Sequence, residues 1–146
     1  MLISRKPRGA RPKNQRRRLA SDQLLQKALR WHEIMEQALP IEIDVRSVKA
    51  LLDAETLPLL LDCREQEEYD MVCIQGTRHI PMNEIPNRIA ELDEFRSQQI
   101  VVHCHLGGRS LQVVQWLRSQ GFDHAQNMTG GIDAWTIEIE PGLPRY

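Results

Sequence analysis

The sequence predicts an α/β fold in which helices cover both faces of a mostly parallel sheet. Short apolar runs alternate with amphipathic stretches along most of the chain, which is the order of strands and helices in such folds. Two of these runs, at residues 59–61 and 100–102, are uninterrupted and therefore indicate buried strands. With 146 residues, of which 41% are hydrophobic, the chain has enough apolar surface for one core.

Three regions follow one another along the chain. Residues 1–20 form a basic tail that we expect to be disordered, because it holds few large apolar side chains. Residues 21–40 are expected to form an amphipathic helical extension. Residues 41–146 are expected to form the α/β domain.

The individual elements are predicted from residue spacing and from the residues that flank them. In the extension, apolar residues recur at helical spacing over 22–39, with Ser21 as the N-cap and Pro40 as the stop. In the domain, apolar runs predict strands over residues 41–43, 59–62, 77–80, 100–103 and 125–128. Amphipathic stretches predict helices over residues 47–54, 65–69, 84–95 and 109–120, the last ended by Gly121, and a closing helical turn over 131–135.

Positive charge is concentrated at the amino-terminal end. Eight of the 19 Lys and Arg residues lie within residues 1–18, and no acidic residue occurs before Asp22. The remaining 11 basic residues face all 20 acidic ones, a net charge of −9 that the overall −1 conceals. We expect residues 1–18 to contact polyanions weakly as a solvated arm. Contact with nucleic acid or a ribosome and organellar targeting are the alternatives.

The cysteine count and the hydropathy pattern bear on location. Three cysteines, an odd number, favour a reducing compartment over a disulfide framework. No apolar run is long enough to cross a bilayer and none resembles the core of a signal peptide, so we expect a soluble protein. Pro7 and Pro12 disfavour the amphipathic helix of a targeting segment. The cytoplasm is therefore the predicted location, with an organellar matrix as the alternative.

A seven-residue loop joins a predicted strand to a predicted helix. Residues 104–110 read Cys-His-Leu-Gly-Gly-Arg-Ser. The two glycines let the backbone turn tightly, so that N–H groups and the positive end of the next helix point toward Cys104. Such a field stabilises a thiolate over a thiol, and the thiolate is the reactive form. We therefore predict that Cys104 is the catalytic nucleophile.

Two other interpretations of these residues are weaker. A cysteine often serves only for packing, which fits Cys63 but not Cys104, since Cys104 is followed by two glycines and an arginine. His103 and His105 flank Cys104, yet no Cys-x-x-Cys or His-x3-His pair accompanies them. We therefore predict no metal site and no cofactor.

Four motifs occur along the domain in a fixed order. Leu-Leu-Leu-Asp-Cys-Arg at residues 59–64 is followed by a Glu-Tyr pair; then come residues 74–82, the Cys104 loop, and Gly-Gly-Ile-Asp-Ala-Trp at 130–135 before a short Pro-rich ending. Together these motifs resemble those of the single-domain rhodanese family of sulfurtransferases, over residues 41–146. The second motif departs from the family pattern at four positions: Val72, Cys73, Thr77 and His79.

The resemblance implies a rhodanese-like fold and a transfer of sulfur in two steps. The Cys104 thiolate would attack the outer sulfur of a small anionic donor such as thiosulfate, or of a persulfide. The Cys104 persulfide would then pass this sulfur to a thiol or a cyanide-like acceptor. The loop residues after Cys104 would bind the donor: His105, Leu106, Gly107, Gly108, Arg109 and Ser110.

Two residues at the end of the second predicted strand, Asp62 and Arg64, are expected to support the loop. For Arg64 the spacing favours a local ion pair with Glu67 or Glu68. Arg109 also has an alternative interpretation, in which it binds a carboxylate of the scaffold instead of the donor.

Two other classes of function remain open at this stage. One is a phosphatase, since a cysteine in an anion-binding loop also suits phosphoryl transfer. Phosphatases of this general fold use a wider Cys-x5-Arg loop, whereas Cys104 and Arg109 form Cys-x4-Arg. The other is a sulfur-carrier or binding module that docks to a protein or an RNA through the amino-terminal extension.

Overall fold

The computed structural model describes residues 21–30, 33, 37 and 39–146. The chain divides into two compact units, residues 1–37 and residues 38–146. The basic tail predicted for residues 1–20 lies outside the described residues.

In the first unit, residues 21–30 form a helix, α1. Its Leu24, Leu25 and Leu29 side chains are exposed. The predicted boundaries of this helix are wrong at both ends, because Ser21 is itself helical and Gln37 lies in a bend. Leu39 is not helical either, since the ring of the following proline disfavours a helical conformation in the residue before it. The apolar positions predicted at 31, 32, 35 and 38 lie outside the described residues.

The second unit is built on a five-stranded sheet in which every pairing is parallel. The spatial order is β1-β5-β4-β2-β3. The strands are β1 (Glu42–Ile43), β2 (Leu59–Asp62), β3 (Arg78–His79), β4 (Ile100–His103) and β5 (Ala125–Met128). The central strands β2, β4 and β5 are buried throughout, as the apolar runs at residues 59–61 and 100–102 predict for β2 and β4.

Helices cover both faces of this sheet. They are α2 (Val45–Asp53), α3 (Gln66–Met71), a 3₁₀ segment (Met82–Phe95), α4 (Gly108–Ser119) and α5 (Gly131–Glu138). Leu61 and Val102 pack in one core cluster with α4 and the 3₁₀ segment, whereas Leu60 and Val101 pack in the other with α2 and α5. The predicted α/β architecture is therefore confirmed.

Four helices differ from their predicted form, and one of them is α3, which runs over Gln66–Met71 instead of 65–69. The helix expected over 84–95 is a 3₁₀ segment, and Pro86 within it lacks the N–H of an α-helical hydrogen bond. Helix α2 begins two residues earlier than predicted, because the Asp44 carboxylate caps it by accepting hydrogen bonds from the Arg46 and Ser47 N–H groups. The predicted closing turn is longer and continues as α5 to Glu138.

The register of β2 and β4 positions the candidate site. Asp62 and His103 are partners across the two strands, and the Cys63 N–H donates to the His103 carbonyl at 3.0 Å. Side chains alternate between faces along a strand, so residues of one parity reach each core cluster. The first residue beyond each strand, Cys63 and Cys104, therefore reaches the cluster under α4.

Candidate active site

Cys104 lies at the carboxyl end of β4, in the loop that leads to α4. Its side chain is only 1% exposed. The backbone turns at Gly107, whose φ of 102° favours glycine, and the Gly107 N–H donates to the Cys104 Sγ at 3.1 Å. A Cβ at Gly107 would lie 3.2 Å from the Gly130 nitrogen. The loop therefore closes around the sulfur as the glycine pair predicted.

Hydrogen-bond donors hold the Cys104 sulfur in its charged form. The neighbouring Cys63 side chain, the Ser110 hydroxyl at 3.3 Å and the Gly107 N–H outweigh the effect of burial and lower the pKa of Cys104 to about 4. A thiol with this pKa is almost entirely thiolate at neutral pH. The first turn of α4 thus supplies part of the field that the sequence predicted.

The amino-terminal end of α5 supports the loop from beneath. The Ile132 N–H donates to the Cys104 carbonyl at 2.9 Å, and the Asp133 N–H donates to the His105 carbonyl at 3.1 Å. Gly131 makes this approach feasible, because a Cβ there would come within 2.6 Å of the His105 backbone. The closing Gly-Gly motif therefore fixes the catalytic loop against α5.

Arg109 stands at the edge of the site and is paired with a carboxylate. Its two terminal nitrogens donate to the Glu68 oxygens at 2.7 and 2.8 Å. This pairing lowers the pKa of Glu68 to about 2. This arrangement matches the alternative interpretation, in which Arg109 binds a carboxylate of the scaffold. Binding of a sulfur donor by Arg109 stays a prediction.

The carboxyl-terminal residue of the chain covers part of the loop. The Tyr146 ring stacks on His105 with ring centroids 4.2 Å apart. Its hydroxyl donates to Glu68 at 2.8 Å and accepts from Arg64 at 2.9 Å. Leu106, by contrast, is 64% exposed at the tip of the loop. The loop thus presents an apolar tip beside a side that is closed by an aromatic pair.

Asp62 and Arg64 form a buried ion pair next to the loop. The Arg64 side chain is 0% exposed, and its nitrogens donate to both Asp62 carboxylate oxygens at 2.5–3.0 Å. It also donates to the backbone carbonyls of Glu68 and Val72. The predicted ion pair of Arg64 with Glu67 or Glu68 is wrong, since Arg64 reaches only the Glu68 backbone. The short Asp-x-Arg spacing favours Asp62 instead.

His103 belongs to the same buried group. Its Nε2 lies 3.7 Å from an Asp62 oxygen. Burial lowers the pKa of His103, so the ring is neutral at physiological pH. Among the residues that the structure describes, no cluster of three or more His, Cys, Asp or Glu side chains could hold a metal ion.

Sequence reasoning missed four residues of this site. Tyr146 and Glu68 come together across 78 positions, and no local pattern signals such a contact. The Asn127 Oδ1 lies 2.6 Å from the Ser110 hydroxyl, again by a long-range contact. The proximity of Cys63 to Cys104 did have a signal, because each follows its predicted strand by one residue.

Fold and loop together define the class of protein. The family model for the rhodanese-like domain matches residues 44–138, and the chain belongs to this family. A sulfurtransferase of Allochromatium vinosum is 36% identical over 104 residues, which are 70% of this chain and 92% of the relative. A putative sulfur carrier protein of Bacillus subtilis is 35% identical over 99 residues, which are 68% of this chain and 52% of the relative.

A solved structure supports the same assignment. The crystal structure of a rhodanese-like domain protein from Staphylococcus aureus matches with a TM-score of 0.61 at 30% identity, covering 73% of this chain and 99% of that one. The chain spans 52% or less of the length of the first curated relatives that it matches. Over the part of the chain that the structure describes, no helix is long and apolar enough to cross a membrane.

Proposed function

We propose that this protein is a sulfurtransferase that carries sulfane sulfur on Cys104. The observation that carries the proposal is the Cys104 sulfur itself, which is buried and receives hydrogen bonds from Gly107 and Ser110. Relatives named as a sulfurtransferase and as a putative sulfur carrier support it. Thiosulfate as the donor, and a thiol or cyanide as the acceptor, are part of the proposal.

The transfer proceeds in two balanced steps. The Cys104 thiolate attacks the outer sulfur of thiosulfate, a new S–S bond forms, and the donor's S–S bond breaks to release sulfite. The negative charge then lies on the outer sulfur of the persulfide, where N–H groups of the loop can stabilise it by donating hydrogen bonds. In the second step the acceptor attacks that outer sulfur and leaves Cys104 as the thiolate. No external oxidant or reductant is needed.

Intact-protein mass spectrometry tests this proposal. After incubation with thiosulfate, the protein should gain the mass of one sulfur atom, located on the Cys104 peptide and removed by cyanide. Cys73→Ser is the matched control, since Cys73 is exposed and lies outside the loop. A wild-type protein that gains no sulfur from thiosulfate or from a small persulfide would disprove the proposed function.

The phosphatase alternative has less support from the geometry. Arg109 is paired with Glu68, and the Cys104–Arg109 loop is one residue shorter than the Cys-x5-Arg loop of phosphatases of this general fold. We therefore expect no turnover of an aryl phosphate ester. Inserting one Gly after Leu106 should also weaken sulfur transfer, because it displaces the Gly107 N–H from the sulfur.

The carrier alternative places the function in docking by the extension. The exposed leucines of α1 favour it, as does the relative named as a putative sulfur carrier. A chain shortened to residues 39–146 should still fold and form the persulfide, while its binding to anionic polymers at low salt falls. Loss of persulfide formation in the shortened chain would show that the extension belongs to the site.

The predicted cytoplasmic location stays a prediction.

A further inference from the structure

Cys63 is buried beside Cys104, and the proposed reaction does not use it. Asp62 and His103 are partners in the register of β2 and β4, so Cys63 and Cys104 leave the two strands side by side. Both side chains belong to the core cluster under α4. Cys63 is 0% exposed and Cys104 is 1% exposed. Both side chains are therefore shielded from bulk solvent.

The two sulfurs differ in their other partners. Cys104 receives the Gly107 N–H at 3.1 Å, whereas Cys63 lies among apolar side chains such as Leu61 and Ile80. The contact with Cys104 raises the pKa of Cys63, and burial adds to this effect. The raised pKa keeps the Cys63 thiol protonated beside the Cys104 sulfur.

We propose that Cys63 is a positioning residue for the sulfur transfer, whose thiol donates a hydrogen bond that holds the Cys104 sulfur as a thiolate. This inference rests on the proposed function. It completes the set of donors around Cys104, since Gly107 and Ser110 approach from the loop and α4 while Cys63 approaches from β2.

The Ser110 hydroxyl cannot replace this donor fully. It has a single hydrogen, which the Cys104 Sγ at 3.3 Å and the Asn127 Oδ1 at 2.6 Å both compete for. The Ser110 hydrogen is therefore shared between the two acceptors. The Cys63 thiol lies in a cluster of buried apolar side chains that also contains Cys104.

This positioning role differs from that of an attacking thiol, because the donor keeps its proton. A Cys63 that kept its proton through both steps would not displace hydrosulfide from the Cys104 persulfide, and no disulfide between the two would form. The side chain would act only on the charge of its neighbour. Removing the S–H group should therefore change the pH at which Cys104 ionises and leave the fold in place.

Three substitutions distinguish the hydrogen bond from packing. Cys63→Ser keeps a donor, Cys63→Val keeps most of the volume without a donor, and Cys63→Ala loses both. The readout is the rate of Cys104 alkylation by iodoacetamide against pH, followed on the Cys104 peptide, which requires no sulfur donor. If the proposed sulfur transfer fails, this readout still reports on Cys63.

We expect Cys63→Val and Cys63→Ala to raise the midpoint by about one pH unit or more, which is a loss of at least about tenfold in the ionisation constant. Cys63→Ser should stay near the wild type. An unchanged midpoint in Cys63→Val would overturn the proposal, as would a Cys63–Cys104 disulfide after thiosulfate treatment. If Cys63→Ser does not fold, the comparison of Cys63→Val with the wild type still decides.

Discussion

Two buried charged groups lie at the ends of β2 and β4, one on each face of the sheet. They differ in what stabilises the negative charge. On one face, Asp62 is neutralised by the full counter-charge of Arg64. On the other, the Cys104 sulfur receives hydrogen bonds from neutral donors, among them Gly107 and Ser110. The two groups are one residue apart along each strand, because side chains alternate between faces.

Under the proposed function, this difference separates a structural group from a reactive one. The guanidinium of Arg64 donates to Asp62, to two backbone carbonyls and to the Tyr146 hydroxyl, so its N–H groups are all in use. Hydrogen bonds from neutral donors stabilise the charge on Cys104. Such a thiolate can still form a covalent bond, and the same donors can stabilise negative charge when it moves to a second sulfur.

The largest expected effect is the loss of the nucleophile. Cys104→Ala should abolish persulfide formation and thiosulfate:cyanide sulfur transfer, because it removes the sulfur to which Gly107 and Ser110 donate. The stability of the variant should stay close to that of the wild type. Steady-state kinetics and intact mass measure both losses, with Cys73→Ser as the active control. Residual Cys104→Ala activity would assign the sulfur to another residue.

On the opposite face, Arg64→Met should unfold the protein more readily without removing the nucleophile. It leaves Asp62 buried and unpaired, which costs about 3–5 kcal/mol. Urea unfolding gives the free energy. The same substitution at Arg46, whose ion pair with Glu138 is exposed, should cost less than about 1 kcal/mol. Equal costs for the two variants would refute the buried-pair account.

The support of the loop by α5 predicts a smaller loss of stability together with a loss of rate. Gly131→Ala introduces a Cβ against the His105 backbone at a positive φ, and should cost about 1–3 kcal/mol. The displaced loop should also form the persulfide more slowly. Gly142→Ala is the control, because that position opens to free space. If both variants react and unfold alike, α5 does not hold the loop.

The smallest effect concerns the ion pair at the edge of the site. Glu68→Gln should cost less than about 1 kcal/mol at neutral pH, since the pair is partly exposed. The pKa of Glu68 is lowered to about 2 in the folded protein, so its stabilisation is present above the unfolded pKa and lost as the pH falls toward 2. Unfolding measured at neutral and acidic pH should show the difference shrinking in acid. A difference that grows in acid would contradict this sign.

The sequence predicted the parts of the site that depend on local patterns. Uninterrupted apolar runs located β2 and β4, and the glycine pair after Cys104 predicted a tight loop with inward N–H groups, as Gly107 shows. Long-range contacts, such as the stacking of Tyr146 on His105, could not be predicted from local patterns. The 3₁₀ conformation around Pro86 was missed because helical spacing alone does not separate the two helix types.

The pH dependence of Cys104 alkylation in the wild-type protein tests the central claim most directly. If neutral donors hold the sulfur as a thiolate with a pKa of about 4, the rate should be flat from about pH 6 to about pH 8. An ordinary buried or exposed thiol would instead gain about tenfold in rate per pH unit over this range. That steep rise would contradict the account, because Cys104 would then be a protonated core cysteine.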